Sequence, residues 1–287
     1  MLFVETIISG ILLGSLYALA ASGLSLGFGI MGIINLAHAE FIMLGAYATF
    51  WLWFLLKINP LLTIFGSMFA LFVFCLIVYR ISIRKIIGEE QLVSLILTYG
   101  ISIVLWNFAQ VAFTSTFRSV DYSTGSIMFS GSYFPVNKII SFVVVTLIIA
   151  GLHMFLKYSS IGKSIRAVSQ NPTIAAISGI NVDRIRMFGF GIAGMLAGVA
   201  GSLISIQWSI FPLMGEDLIL KCFAIVAIGG LGSLPGSLAG GIILGLAESI
   251  GTGYWDATMA NIFAPLLVIL TFLFRPQGLF GVEERVD

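Results

Sequence analysis

Long apolar runs broken by short polar stretches recur along the whole chain, and their lengths predict helices that cross a membrane. About 20 apolar residues span the hydrocarbon core of a bilayer. Runs near 6–28, 41–56, 61–79, 92–113, 139–156, 187–207, 219–232, 238–251 and 261–274 read as such segments. The runs at 219–232 and 238–251 are short for a lipid-facing crossing and are joined by Ser233-Leu234-Pro235-Gly236-Ser237. They suit re-entrant half-helices, or short helices sheltered by their neighbours. The expected fold is an all-α polytopic membrane protein of about eight or nine transmembrane or half-spanning helices, in one domain covering 1–287. The first apolar run lacks a basic flank ahead of it and is too long for a cleaved signal, so it reads as a retained helix.

One stretch departs from this pattern. Residues 157–186, KYSSIGKSIRAVSQNPTIAAISGINVDRIR, form a polar, basic island. Within it Asn171 followed by Pro172 is a helix-start signal, with Asn as N-cap and Pro at the first helical position. Gly179 is a natural stop. The helix between them is far below the roughly 12 to 15 residues at which an isolated helix is marginal in water, so something outside must hold it. Thr173 follows the cap; Ala175, Ala176 and Gly179 make a small-residue side, and Ile174, Ile177 and Ile180 offer apolar contact. Gly162 to Gln170 reads as a second short helix carrying Lys163 and Arg166. The residues alone fit two readings, a docking knob for a partner or an interfacial connector whose cations face lipid headgroups.

Charge orients the chain and excludes some functions. Only 9% of residues are charged against 59% hydrophobic, with a mean hydropathy of +1.09; a soluble domain carries about a quarter charged residues. A net charge of +1 gives no case for nucleic-acid binding. Arg80, Arg84, Lys85, Lys157, Lys163, Arg166, Arg184, Arg186, Arg275 and Arg285 fall in loops assigned to one side, against Lys57, Arg118, Lys138 and Lys221 on the other. The positive-inside rule then puts the island and the C-terminal tail in the cytoplasm. Cys75 and Cys222 match no metal or disulfide spacing and read as buried small hydrophobes. There is no GxxxxGK[ST] stretch to hold phosphates, and His38 and His153 sit in no triad or metal cluster, so the sequence shows no enzyme chemistry of its own.

Asn35, His38 and Glu40 lie together in GIMGIINLAHAEF between two apolar runs. An ionised side chain at the bilayer centre costs at least ~2.5 to 3.5 kcal/mol, so at depth these residues would face protein or water and line a pathway or gate. At the interface, Asn35 and Glu40 would instead cap the next helix. Glu248, alone in an apolar run, is a further gate candidate, or pairs with a neighbour; Glu216 and Asp217 fall in an expected outer loop, 208–218. Glycines cluster in the apolar runs, from Gly189 to Gly201 and from Gly229 to Gly245, where small residues let helix backbones approach closely.

Four blocks in order carry a resemblance: Gly23 to Phe50, Ile161 to Arg186, Ala227 to Glu248 and Phe274 to Gly281. Over nearly its whole length the chain resembles the permease subunits of branched-chain amino acid ABC transporters, of the LivH type. The resemblance implies alternating access driven by two cytoplasmic ATPase subunits that dock on the island and carry the ATP and Mg, with no cofactor bound by this chain. It further implies a second homologous permease, an extracytoplasmic substrate-binding protein and residence in a prokaryotic inner membrane. The docking helix of such permeases usually opens Glu-Ala-Ala with a Gly six residues after the Glu. Here Ala175 and Gly179 match, whereas Thr173 and Ile174 replace the first two residues, so shape rather than a salt bridge is expected to carry docking. A secondary transporter or channel, with broken helices at 219–251, is the alternative from another class; a permease for urea or short amides is the alternative within the resemblance.

Overall fold

The computed structural model describes residues 2–122, 125–129 and 132–281, which leaves Arg285, counted above with the tail, outside the described residues. The chain runs α1 (Leu2–Met31), α2 (His38–Leu56), α3 (Pro60–Ile81), α4 (Gln91–Phe113), a hairpin of β1 (Ser126–Phe129) and β2 (Ser132–Pro135), then α5 (Val136–Tyr158), α6 (Ser160–Gln170) and α7 (Pro172–Ile177). It continues through α8 (Val182–Gln207), α9 (Met214–Gly229), α10 (Leu234–Tyr254) and α11 (Ala257–Phe274). Among the described residues, α1, α2, α3, α4, α5, α8 and α10 are long and apolar enough to cross a membrane. The protein is thus the expected all-α polytopic membrane protein.

Two expectations change. The run at 238–251 is the middle of a 21-residue helix, α10, and not a half-helix. Its start was hidden because Leu-Pro-Gly looks like a linker. In fact Ser233 caps the helix, its Oγ accepting from Gly236 N at 3.1 Å. Pro235 falls in the first turn, where a missing N–H costs nothing. α9 does remain short, at 16 residues. The second is a local exception to the all-α expectation, the β1–β2 hairpin between α4 and α5, four residues per strand in antiparallel register.

Glycine builds the centre of the bundle. α1 and α10 run antiparallel, with Gly10 against Leu246, Gly14 against Gly241 and Gly29 against Gly232. A Cβ on Gly14 would lie 2.7 Å from Gly241 O and 2.8 Å from Ile242 Cα, and one on Gly241 would lie 2.6 Å from Ala18 Cα. Only hydrogen atoms fit along this seam. A second seam joins α2, α3 and α8: Ser67 Oγ reaches Gly45 O at 3.0 Å and Gly198 O at 3.1 Å, and Thr49 meets Ser202 at 2.6 Å. α8 and α1 are the most enclosed spans, whereas α3, α4 and α5 leave apolar side chains such as Phe69, Val111 and Leu147 exposed, as lipid-facing helices do.

The two ends differ. At the end that holds the island, Arg84 Nε pairs with Asp183 Oδ1 at 3.1 Å and Tyr79 donates its hydroxyl to the same oxygen at 2.9 Å, tying α3 to α8. There too, Leu279 N donates to Ile228 O at 2.8 Å and Phe280 N to Gly229 O at 2.9 Å, so the segment after α11 covers the last turn of α9. At the opposite end Ser132 of the hairpin donates to Glu5 of α1 at 2.7 Å.

Candidate functional site

The island folds as two short helices set between α5 and α8. Ser159 Oγ accepts from Gly162 N at 2.9 Å to start α6, and Gly162, Ile165 and Val168 make its buried side at helical spacing. Asn171 ends α6, donating its N–H to Ala167 O at 3.1 Å, and begins α7, its Oδ1 accepting from Thr173 N and Ile174 N at 3.0 Å each. Gly179, at φ +84°, reverses the chain so that Ile180 N reaches Ala175 O at 3.1 Å. A left-handed residue at this position is the glycine stop that the sequence signalled. Asn181 Oδ1 then accepts from Arg184 N at 3.0 Å to open α8. Losing the Asn171 cap should cost about 1 kcal/mol. Asn171→Ala is therefore expected to speed amide exchange in α7 while leaving exchange in α8 unchanged.

The faces of α7 are not those the small residues suggest. Ala175 is only 3% exposed and turns into the chain, so it anchors the helix. Ile174 and Ile177 turn outward, 62% and 82% exposed. Pro172, Thr173, Ala176 and Gly179 are exposed beside them. The free surface of the knob is thus branched and apolar, and Ala175 stands behind it.

Asn35, His38 and Glu40 are all buried, and the fold separates their roles. Residues 32–37 break the helical path between α1 and α2 well inside the bundle, where α4 serves the open backbone: Thr98 Oγ1 accepts from Leu36 N at 3.2 Å and donates to Ile34 O at 3.1 Å. Asn35 Oδ1 accepts from Ala37 N at 3.1 Å and steadies the same turn. His38 Nε2 lies 2.9 Å from Ala20 O, and Gly23 makes room for the ring, since a Cβ there would sit 2.6 Å from His38 Cε1. Beside them is a void of about 10 Å³ among Gly23, Asn35, His38 and Phe190, room for about one water. Asn35 and His38 thus brace the junction of α1 and α2 around this void. Glu40 is different: in the first turn of α2 it reaches sideways, accepting from Ser102 at 3.2 Å, and its Oε2 lies against Gly215 without a hydrogen-bond partner among the described residues.

Glu248 has partners that no local reading shows. On α10, it lies 3.0 Å from Lys221 Nζ of α9, and its Oε2 accepts from Tyr17 of α1 at 2.8 Å. Lys221 also donates to the Tyr17 hydroxyl at 2.8 Å. Lys221, counted with the cations of the outer side although the 219–232 run contains it, stands at the middle of α9. Glu216 and Asp217, expected in the outer loop 208–218, are exposed in the first turn of α9. A lysine and a glutamate one apolar helix apart were the available signal.

A close-packed bundle of membrane-length helices, an apolar knob at one end and charges held inside the span define an integral membrane protein of the transport class. Residues 6–273 match the family described as "Branched-chain amino acid transport system / permease component", and the chain belongs to it. It is 32% identical to the high-affinity branched-chain amino acid transport system permease protein LivH of Escherichia coli (strain K12), over 98% of this chain and 96% of that one. The corresponding protein BraD of Pseudomonas aeruginosa is also 32% identical, over 98% and 97%. A probable LivH of Methanocaldococcus jannaschii is 29% identical over 96% and 91%.

Proposed function

We propose that this chain is one half of the membrane pathway of an ATP-driven importer for branched-chain amino acids. The observation that carries this reading is α7: a helix capped at both ends, anchored by Ala175, that leaves Ile174 and Ile177 exposed with nothing among the described residues covering them. An apolar surface of that kind fits a groove on a partner. The island's cations support a cytoplasmic knob, and the partner in this reading is a cytoplasmic ATPase, one copy for each of two permease subunits, with ATP and Mg held there. Substrate comes from an extracytoplasmic binding protein, and the second permease closes the other side of the pathway. The names of the full-length relatives support leucine, isoleucine and valine as cargo. Glu40 remains a pathway candidate, now with an orphaned oxygen to support it.

Reconstitution of the permease, ATPase and binding protein in vesicles, followed by a radiolabelled amino-acid screen, tests this. Uptake of branched-chain amino acids that requires internal ATP is expected. Uptake at the same rate without the ATPase, driven by a proton or sodium gradient, would replace this reading with that of a secondary transporter.

A further inference from the structure

An ion pair inside a membrane needs a reason. Taking a lysine and a glutamate out of water costs more than packing two apolar side chains in their place, and such pairs are commonly neutral or worse for stability. Lys221 and Glu248 occur in helices otherwise free to use leucine, and the bundle already has its glycine seams to hold α1 against α10. The pair is also not sealed. Lys221 keeps 20% of its side chain exposed while Glu248 keeps 7%, so the ammonium is the approachable partner and the carboxylate stands behind it.

The helix that carries Lys221 also exposes charged side chains, which avoid lipid. Glu216 and Asp217 are exposed on the same helix, one to two turns away at ~1.5 Å per residue. Charged side chains at that depth face water or protein. Leu220, exposed beside Lys221, adds an apolar neighbour. Three polar groups converge there. Lys221 Nζ lies 2.8 Å from the Tyr17 hydroxyl and 3.0 and 3.1 Å from the two carboxylate oxygens of Glu248.

From this geometry we infer that Tyr17, Lys221 and Glu248 form a station on the translocation pathway that takes the zwitterionic head of an α-amino acid. The substrate carboxylate goes to Lys221 and its ammonium to Glu248, with Tyr17 donating or accepting as the pair opens. Opposite charges already in contact are exchanged one for one, so no net charge enters the membrane. The aliphatic side chain then lies on the Leu220 side. The inference rests on the importer reading and names a site for it.

The test compares the wild-type reconstituted complex with the double variant Lys221→Met/Glu248→Met. Apolar replacement of both partners preserves packing, so the double variant is expected to assemble with the ATPase, while leucine uptake falls at least tenfold. Glu248→Gln, nearly isosteric and still able to accept from Tyr17, is expected to show the same loss; it serves if the double variant does not assemble. Wild-type uptake by an assembled double variant, or by Glu248→Gln, overturns the station and leaves the importer standing. ATP-independent leucine uptake by the wild type, or none, overturns both.

Discussion

Ile177→Glu is expected to abolish ATP-driven uptake while the permease still inserts and folds. The side chain is 82% exposed in the isolated chain, so a carboxylate there remains in water and costs the fold nothing. Docking is another matter. Burying an isoleucine contributes about 1.5–3 kcal/mol, and an unpaired carboxylate forced into an apolar groove adds a desolvation cost of several kcal/mol. Together these amount to a weakening of docking on the order of a thousandfold or more. Co-purification of the ATPase and uptake should both be lost with membrane yield unchanged. Ala175→Glu should fail differently, by loss of the α7 fold itself, since Ala175 faces inward. Wild-type uptake by Ile177→Glu would show that the outward face of α7 is not the docking surface.

Gly241→Leu is expected to have the largest effect on the bundle. The new side chain would begin 2.6 Å from Ala18 Cα, so α1 and α10 would have to separate. Overpacking costs typically 1–3 kcal/mol where neighbours can yield, and backbone cannot yield as a side chain does. In lipid no hydrophobic force restores the contact, because close packing is itself what holds the helices together. The variant should lose its single symmetric peak in fluorescence size-exclusion chromatography and melt well below wild type. Gly100→Leu on α4, where a Cβ meets nothing within 4 Å, is the matched control and should behave as wild type. Equal melting of the two variants would remove the seam from any role in stability.

What the sequence made legible were features with a local cause. Asn171-Pro172 and Gly179 act on the few residues beside them, and the structure realises both. The apolar runs gave the spans because length against bilayer thickness is a one-dimensional test. What it hid depends on neighbours in space. A six-residue helix has no period long enough to declare its inner face, so its small residues suggest a contact surface at Ala175 where the structure buries the side chain. Lys221, Glu248 and Tyr17 are spread over three helices, and only packing reveals that they meet. Asn35, His38 and Glu40 form one cluster in sequence and divide in space, because Asn35 bonds within its own turn, His38 is held by α1, and Glu40 is met by α4 and α9.

The bond between the segment after α11 and the end of α9 sets an order of events for biogenesis. The carbonyls of Ile228 and Gly229 receive their partners from Leu279 and Phe280, which leave the ribosome after the α10–α11 pair has been made. Until then α9 can insert but its last turn has no lid. Its final seating is therefore timed by the emergence of Leu279 and Phe280 rather than by its own.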